Sequence, residues 1–296
     1  MIEVKPAVCG IARLSSVEEG SDMRDILAYT SSYATWSRGP AYAARLAAAL
    51  DASLTGLYVS PSPMALMQGY ETPELASYVL EGIRDLMEGA SAAGPAFVRW
   101  AGEHGVTKAA WQVAAGDLPS VLGHIGNWHD LLVLERTPAP EESAVEPGRI
   151  ALSVEIPCLV VPPEGALAPA PECIAVAWNG SPEAIRAIHA ARPLLARAGR
   201  VVVLSGTQRK VLTEIDWKPA FDLDMYLRRH GIHAEQRPLL ASDEQAGAAL
   251  LAAATEIGAG LLVMGAYGRT RFSEWVFGGA TRHILNHAGI PVVMRH

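Results

Sequence analysis

The 296-residue chain carries a formal net charge of −7, half of its residues are hydrophobic and few are aromatic. This balance argues against a nucleic-acid surface, which needs clustered Lys and Arg to neutralise phosphates, and leaves room for a small anion only where basic residues gather locally. The length favours two domains, each able to bury its own core. Cys9, Cys158 and Cys173 stand far apart with no CxxC pair, and the start MIEVKPAVCGIARLSS has neither a basic opening nor a long apolar centre. Buried thiols in a reducing compartment and no signal peptide make the cytoplasm the expected location.

Residues 1–24 form an N-terminal extension with no assignable role. From Asp25 onward, strand-like and helix-like runs alternate: DILAYT, an Ala-rich helix near 40–50, LTGLYV, a long helix around 72–103, AAWQVA, a short helix, LLVLE and IPCLVV. Such alternation is the pattern of a parallel sheet covered by helices. Ser31 and Ser32 have no GxSxG setting, so a hydrolase nucleophile turn is not expected. HIGN at His124–Asn127 resembles the HIGH sequence of class I synthetases, but it precedes a fourth strand instead of following a first, and reads as a surface helix end. Glu141, Glu142 and Glu146 read as a solvated loop.

The junction is VPPEGALAPAPE, residues 161–172, whose prolines mark a semi-rigid linker. The same plan then returns: CIAVAW, a helix from Pro182 to Ala198 that Ser181 can cap, RVVVLSG, a helix near Pro219–His230, IHAEQRPLL, a helix from Asp243 to Ile257, LLVMG, a final helix and IPVVM. LLVLE at 131 precedes LLVMG at 261 by 130 residues, and IPCLVV at 156 precedes IPVVM at 290 by 134. Near-constant spacing indicates a duplicated domain. The expected division is an extension at 1–24, a first domain at 25–163, a linker at 164–172 and a second domain at 173–296. Residues 246–268 imitate a membrane span with Glu256 as their single charge, but GAG at 258–260 divides them into a helix and a strand, each too short to cross a bilayer.

After the fourth strand of the second half come Gly265, Gly268, Gly278 and Gly279. Glycine has an entropic cost, so the run implies tight turns or close approach of a ligand to the main chain. Ligands of open parallel sheets settle at the carboxyl ends of strands, where Gly265 stands. From Gly278 a helix begins, GGATRHILNHA, whose free N–H groups favour an anion. Arg269, Arg271 and Arg282 against Glu274 add a local positive field. Neither GxxxxGK[ST] nor a GxGxxG after a first strand is present. His283 and His287 share a helix face but lack a third ligand nearby in sequence.

The spacing G-x2-G-x9-G, with GRT, FGGATRHIL and GIPVVM around it, resembles the ATP-binding branch of the universal stress protein family. The resemblance implies two tandem doubly wound five-stranded parallel-sheet α/β domains, Rossmann-like in type, and a regulatory module that binds ATP or another adenine nucleotide, with or without magnesium. It implies that Met264 and Gly265 lie along the adenosine, that Gly268 lets the loop close, and that Gly278, Gly279 and Ala280 offer N–H groups to the phosphates, with Arg269 beside them. Asn179 replaces the family's aspartate at the end of the first strand and can still donate and accept. Ser205, or its neighbour, would supply another edge contact. Gly279 replaces the family's Ser or Thr, a loss of one hydrogen bond worth about 0.5–1.5 kcal/mol; Thr281 either restores a hydroxyl or caps the helix. The fifth strands are expected to pair within one chain as a pseudo-dimer, with a homodimer as a further option.

One site per chain is expected. Aligning LLVLE on LLVMG puts Glu135 at the place of Gly265, and Pro138 at that of Gly268, with Glu141 and Glu142 where the second half has arginines. A carboxylate repels phosphate and proline removes a donor. The alternatives are a slow ATPase, for which no acid or base is visible beside the glycines, and a scaffold that binds no nucleotide.

Overall fold

Strands and helices alternate along the chain in the order the sequence pattern implies. The computed structural model describes residues 23–62, 73–136, 145–165, 167–206, 222–242, 244–266 and 279–296. The first half contains β1 (Asp25–Thr30), α1 (Arg38–Leu50), β2 (Ser53–Ser60), α2 (Pro73–Ala92), α3 (Gly94–Glu103), β3 (Ala109–Ala115), α4 (Leu118–Gly126), β4 (Leu131–Glu135), α5 (Val145–Ser153) and β5 (Cys158–Val161). The second contains β6 (Cys173–Trp178), α6 (Pro182–Leu195), β7 (Arg200–Ser205), α7 (Leu223–Arg229), β8 (Ala234–Pro238), α8 (Ala246–Glu256), β9 (Leu261–Gly265), α9 (Gly279–His287) and β10 (Val292–Arg295).

The long helix expected around 72–103 is two helices, interrupted at Ala93, with Pro95 in the first turn of the second. Proline has no N–H for the preceding ladder and its ring crowds the turn before it, so the chain restarts there. The membrane-like stretch resolves into α8 and β9, and among the described residues no helix is long and apolar enough to cross a bilayer.

The ten strands of the described residues join one sheet in the order β3-β2-β1-β4-β5-β10-β9-β6-β7-β8. Neighbours are parallel except at the centre, where β5 and β10 run antiparallel with Leu159 opposite Val293. The pairing expected of the two fifth strands is therefore present. Its antiparallel sense turns the halves head to tail, so the carboxyl ends of β1–β5 and of β6–β10 open on opposite edges of the sheet.

Alternate residues feed two apolar layers, each continuous across both halves. Ile26, Val133, Leu159 and Val293 belong to one; Leu27, Leu132, Val160 and Val292 belong to the other. A fully buried Leu or Val contributes about 1.5–3 kcal/mol, so burial along the central seam helps hold the two halves together. Arg38, in the first turn of α1, ties the start of the linker to the first half, donating from Nε to Pro162 O and from Nη2 to Gly165 O. Gly165 has a φ of +101°, and a Cβ there would run into the carbonyl oxygen of Gly289. Only glycine suits that crossing.

Cys158 lies fully buried in the seam, and burial pushes its thiol up to about 12, Arg295 pulling weakly in the opposite direction. At pH 8 its thiolate is scarce and shielded. Mass-spectrometric mapping after treatment with an aromatic disulfide should show Cys158 unlabelled until denaturant is added; labelling at the rate of a free thiol would contradict the seam.

Candidate functional site

The carboxyl ends of β6, β7 and β9 lie side by side in the second half. Trp178 is opposite Ser205, and Val176 is opposite Val263. This brings Asn179, Ser205, Met264 and Gly265 to one edge of the sheet. Asn179 follows β6 directly and accepts the Ser181 N–H on Oδ1 at 3.1 Å, which folds the turn tightly. Ser181 caps α6 as its sequence implies, accepting the Ala184 N–H on Oγ at 3.1 Å. Ser205 donates from its hydroxyl to Gln236 Oε1 at 3.3 Å.

The glycines divide into two kinds. A Cβ on Gly265 would stand 2.6 Å from Ala184 N and 2.7 Å from the carbonyl carbon of Glu183. Gly265 is therefore required by packing, because the exit of β9 rests on the first turn of α6. A Cβ on Gly279 would meet nothing within 4 Å. Gly279 has no packing reason to be bare among the described residues, and it opens α9.

Since β9 and β10 are parallel, the crossover helix α9 runs back across the sheet, with its first turn at the carboxyl edge. That turn is seated on α8: a Cβ on Gly247 would lie 3.0 Å from Ala280 O and 2.8 Å from His283 Cβ. Ala280 is half-buried and Thr281 is 5% exposed. Thr281 is the third residue of the helix, which corrects its reading as a cap, since a cap precedes the first helical residue. Gly268, Arg269 and Gly278, with Arg271 and Glu274, lie outside the described residues.

Glu183 is an acid that sequence reasoning passed over. It is 5% exposed in the first turn of α6 beside Gly265, where the helix dipole favours a negative charge. Its position in SPEA, directly after a capping serine and a proline, was the available signal. Arg282 is exposed on α9. His283 and His287 stack with ring centroids 4.2 Å apart. Among the described residues no group of three or more His, Cys, Asp or Glu is arranged to hold a metal.

The corresponding edge of the first half is occupied by its own side chains. Glu135 aims its carboxylate at the start of α1, where Oε2 accepts from Gly39 N at 2.8 Å and from Ser37 Oγ at 2.5 Å. A helix N-terminus of the kind that attracts a phosphate is thus already served by an internal anion. Tyr33 and Tyr58 meet edge to face at 5.2 Å. A cavity of about 760 Å³ lies on the outer flank of this half, between β2, β3 and α4, with His124 and Trp128 in its lining. HIGN is the C-terminal end of α4, with Asn127 as its C-cap, in the first half and not at the end of β9.

The chain thus repeats a five-stranded α/β unit, with Gly265 at the end of β9 in the second copy. Residues 172–296 match the model of the universal stress protein family. A universal stress protein from Archaeoglobus fulgidus DSM 4304 has the same fold, with a TM-score of 0.63 and 15% identity over 92% of this chain and 95% of that one. A functionally unknown protein from Pseudomonas aeruginosa PAO1 aligns with a TM-score of 0.55 and 15% identity, covering 93% of each chain. At such identity the likeness is one of fold, and it extends through both halves. No curated protein matches the chain.

Proposed function

We propose that the second half holds one adenine nucleotide, ATP or a close relative, and that the protein is a regulatory binding module of the universal stress type. The observation that carries this reading is the start of α9, where among the described residues Gly279 is bare without a packing reason. The amides of Gly279, Ala280 and Thr281 belong to the first turn, whose N–H groups have no partner within the helix and suit a phosphate. In this reading Met264 and Gly265 lie along the adenosine, Asn179 and Ser205 offer polar contacts to base or ribose, and Gly268, Arg269 and Gly278 close the loop over the phosphates. Magnesium would accompany the triphosphate.

In this reading the first half binds none, because Glu135 stands at the place of Gly265 and puts a carboxylate at the end of β4, where it would repel phosphate. Small molecules released by denaturing freshly purified protein should include an adenine nucleotide by mass spectrometry. Calorimetry with ATP and magnesium should give one site per chain. Two equivalent sites would overturn the reading of Glu135, and no binding at all would leave a scaffold. Phosphate release in proportion to protein concentration would instead favour a slow ATPase, for which Glu183 is the nearby carboxylate.

A further inference from the structure

We propose that Arg136, in the first half, is a positioning residue for the nucleotide site of the second, holding α9 by its far end so that the first turn of this helix stays in place for phosphate. The inference rests on the nucleotide reading above. Arg136 follows β4 and is fixed by its own backbone, donating its N–H to Val161 O at 2.9 Å. Its side chain crosses the β5–β10 seam. There Nη1 donates to Leu285 O at 2.5 Å and Nη2 to Ala288 O at 3.0 Å, two carbonyls at the C-terminal end of the nine-residue α9.

The chemistry suits the place. The last carbonyls of a helix lack partners within it and carry the negative end of its dipole, so a cation with two parallel donors satisfies both needs. Arg136 is half-buried and lines a small apolar cavity with Val160, Ile284, Ile290 and Val292. Burial lowers its pKa, yet an arginine stays charged, which a lysine in the same setting would do less securely. At its other end α9 rests on Gly247, without room for a Cβ. Held at both ends, the helix has little freedom to slide along the sheet.

The arrangement is one-sided. Ala266 is the counterpart of Arg136, since its N–H likewise bonds the end of the neighbouring fifth strand, at Arg295 O. Its methyl group cannot reach across the seam to α5. Adjacent Glu135 and Arg136 thus do different work: the first completes α1 in its own half, the second steadies α9 in the other. This gives the half without a nucleotide a reason to have kept its fold.

The test uses the full chain, comparing wild type with Arg136→Met, which keeps the length and loses the donors, and with Arg136→Lys. Amide exchange of residues 279–287 and ATP affinity are measured together. Gly56→Ala, a packing variant in the first half far from α9, serves as the control for general loss of stability. Arg136→Met should accelerate exchange in α9 well beyond β6–β8 and weaken ATP by about tenfold, with partial recovery in Arg136→Lys. Gly56→Ala should leave ATP affinity unchanged. Unchanged ATP affinity in Arg136→Met, or acceleration spread evenly over the protein as in the control, overturns the proposal. Failure of the nucleotide reading is visible separately, as absence of binding in the wild type, and it removes the positioning role as well.

Discussion

Gly278→Val is expected to reduce ATP affinity by more than a hundredfold while the protein still unfolds cooperatively. The residue directly precedes α9, so in the proposed site its backbone faces the phosphates and a branched side chain takes their space. The folding cost stays near 1 kcal/mol, the usual penalty for placing Val before a helix. Gly265→Ala should behave in the opposite way. Its Cβ would meet the backbone of α6 at 2.6 Å, and crowding a packed backbone costs about 1–3 kcal/mol whether or not nucleotide is present. Calorimetry and urea unfolding of the two variants separate binding from packing. Unchanged ATP affinity in Gly278→Val would show that the site has been assigned to the wrong loop.

Gly56→Val is expected to cost about 3 kcal/mol, read as a lower urea midpoint with loss of near-ultraviolet aromatic signal. Glycine within a strand is usually a weakness, and a larger residue there would ordinarily add stability. Here clash decides the sign. A Cβ on Gly56 would stand 2.5 Å from Phe97 Cζ and 2.8 Å from Trp111 Cε3. Those rings cannot simply turn aside. Trp36 packs on Phe97 at 5.4 Å and on Trp100 at 5.0 Å, and Trp111 donates from Nε1 to Ala90 O at 2.8 Å. Overpacking a core of this kind costs about 1–3 kcal/mol per insertion, toward the upper end for a branched side chain. An unchanged midpoint would mean that the aromatic layer yields more readily than its geometry implies.

The sequence by itself determined the alternation of strands and helices, the Ser181 cap and the place of the glycine run, because each depends on residues within a few positions of one another, and it showed the repeat because the two copies of each segment resemble one another directly. The break between α2 and α3 was also written there, in Gly94 and Pro95, though the surrounding helical pattern masked it. The family model supports the same reading for residues 172–296. The sense of the central seam is visible only in the folded sheet. So is the division of the glycines: Gly265 is bare for α6, and a Cβ on Gly279 would meet none of the described residues within 4 Å. Glu135 read in sequence as a charge that would repel phosphate, and in the fold it is a working cap on α1, 96 residues from Gly39. Arg136 had no local signature at all. Its partners lie 149 and 152 residues away, and a side chain's reach across such a separation is set by how the strands are ordered, which no short window of sequence contains.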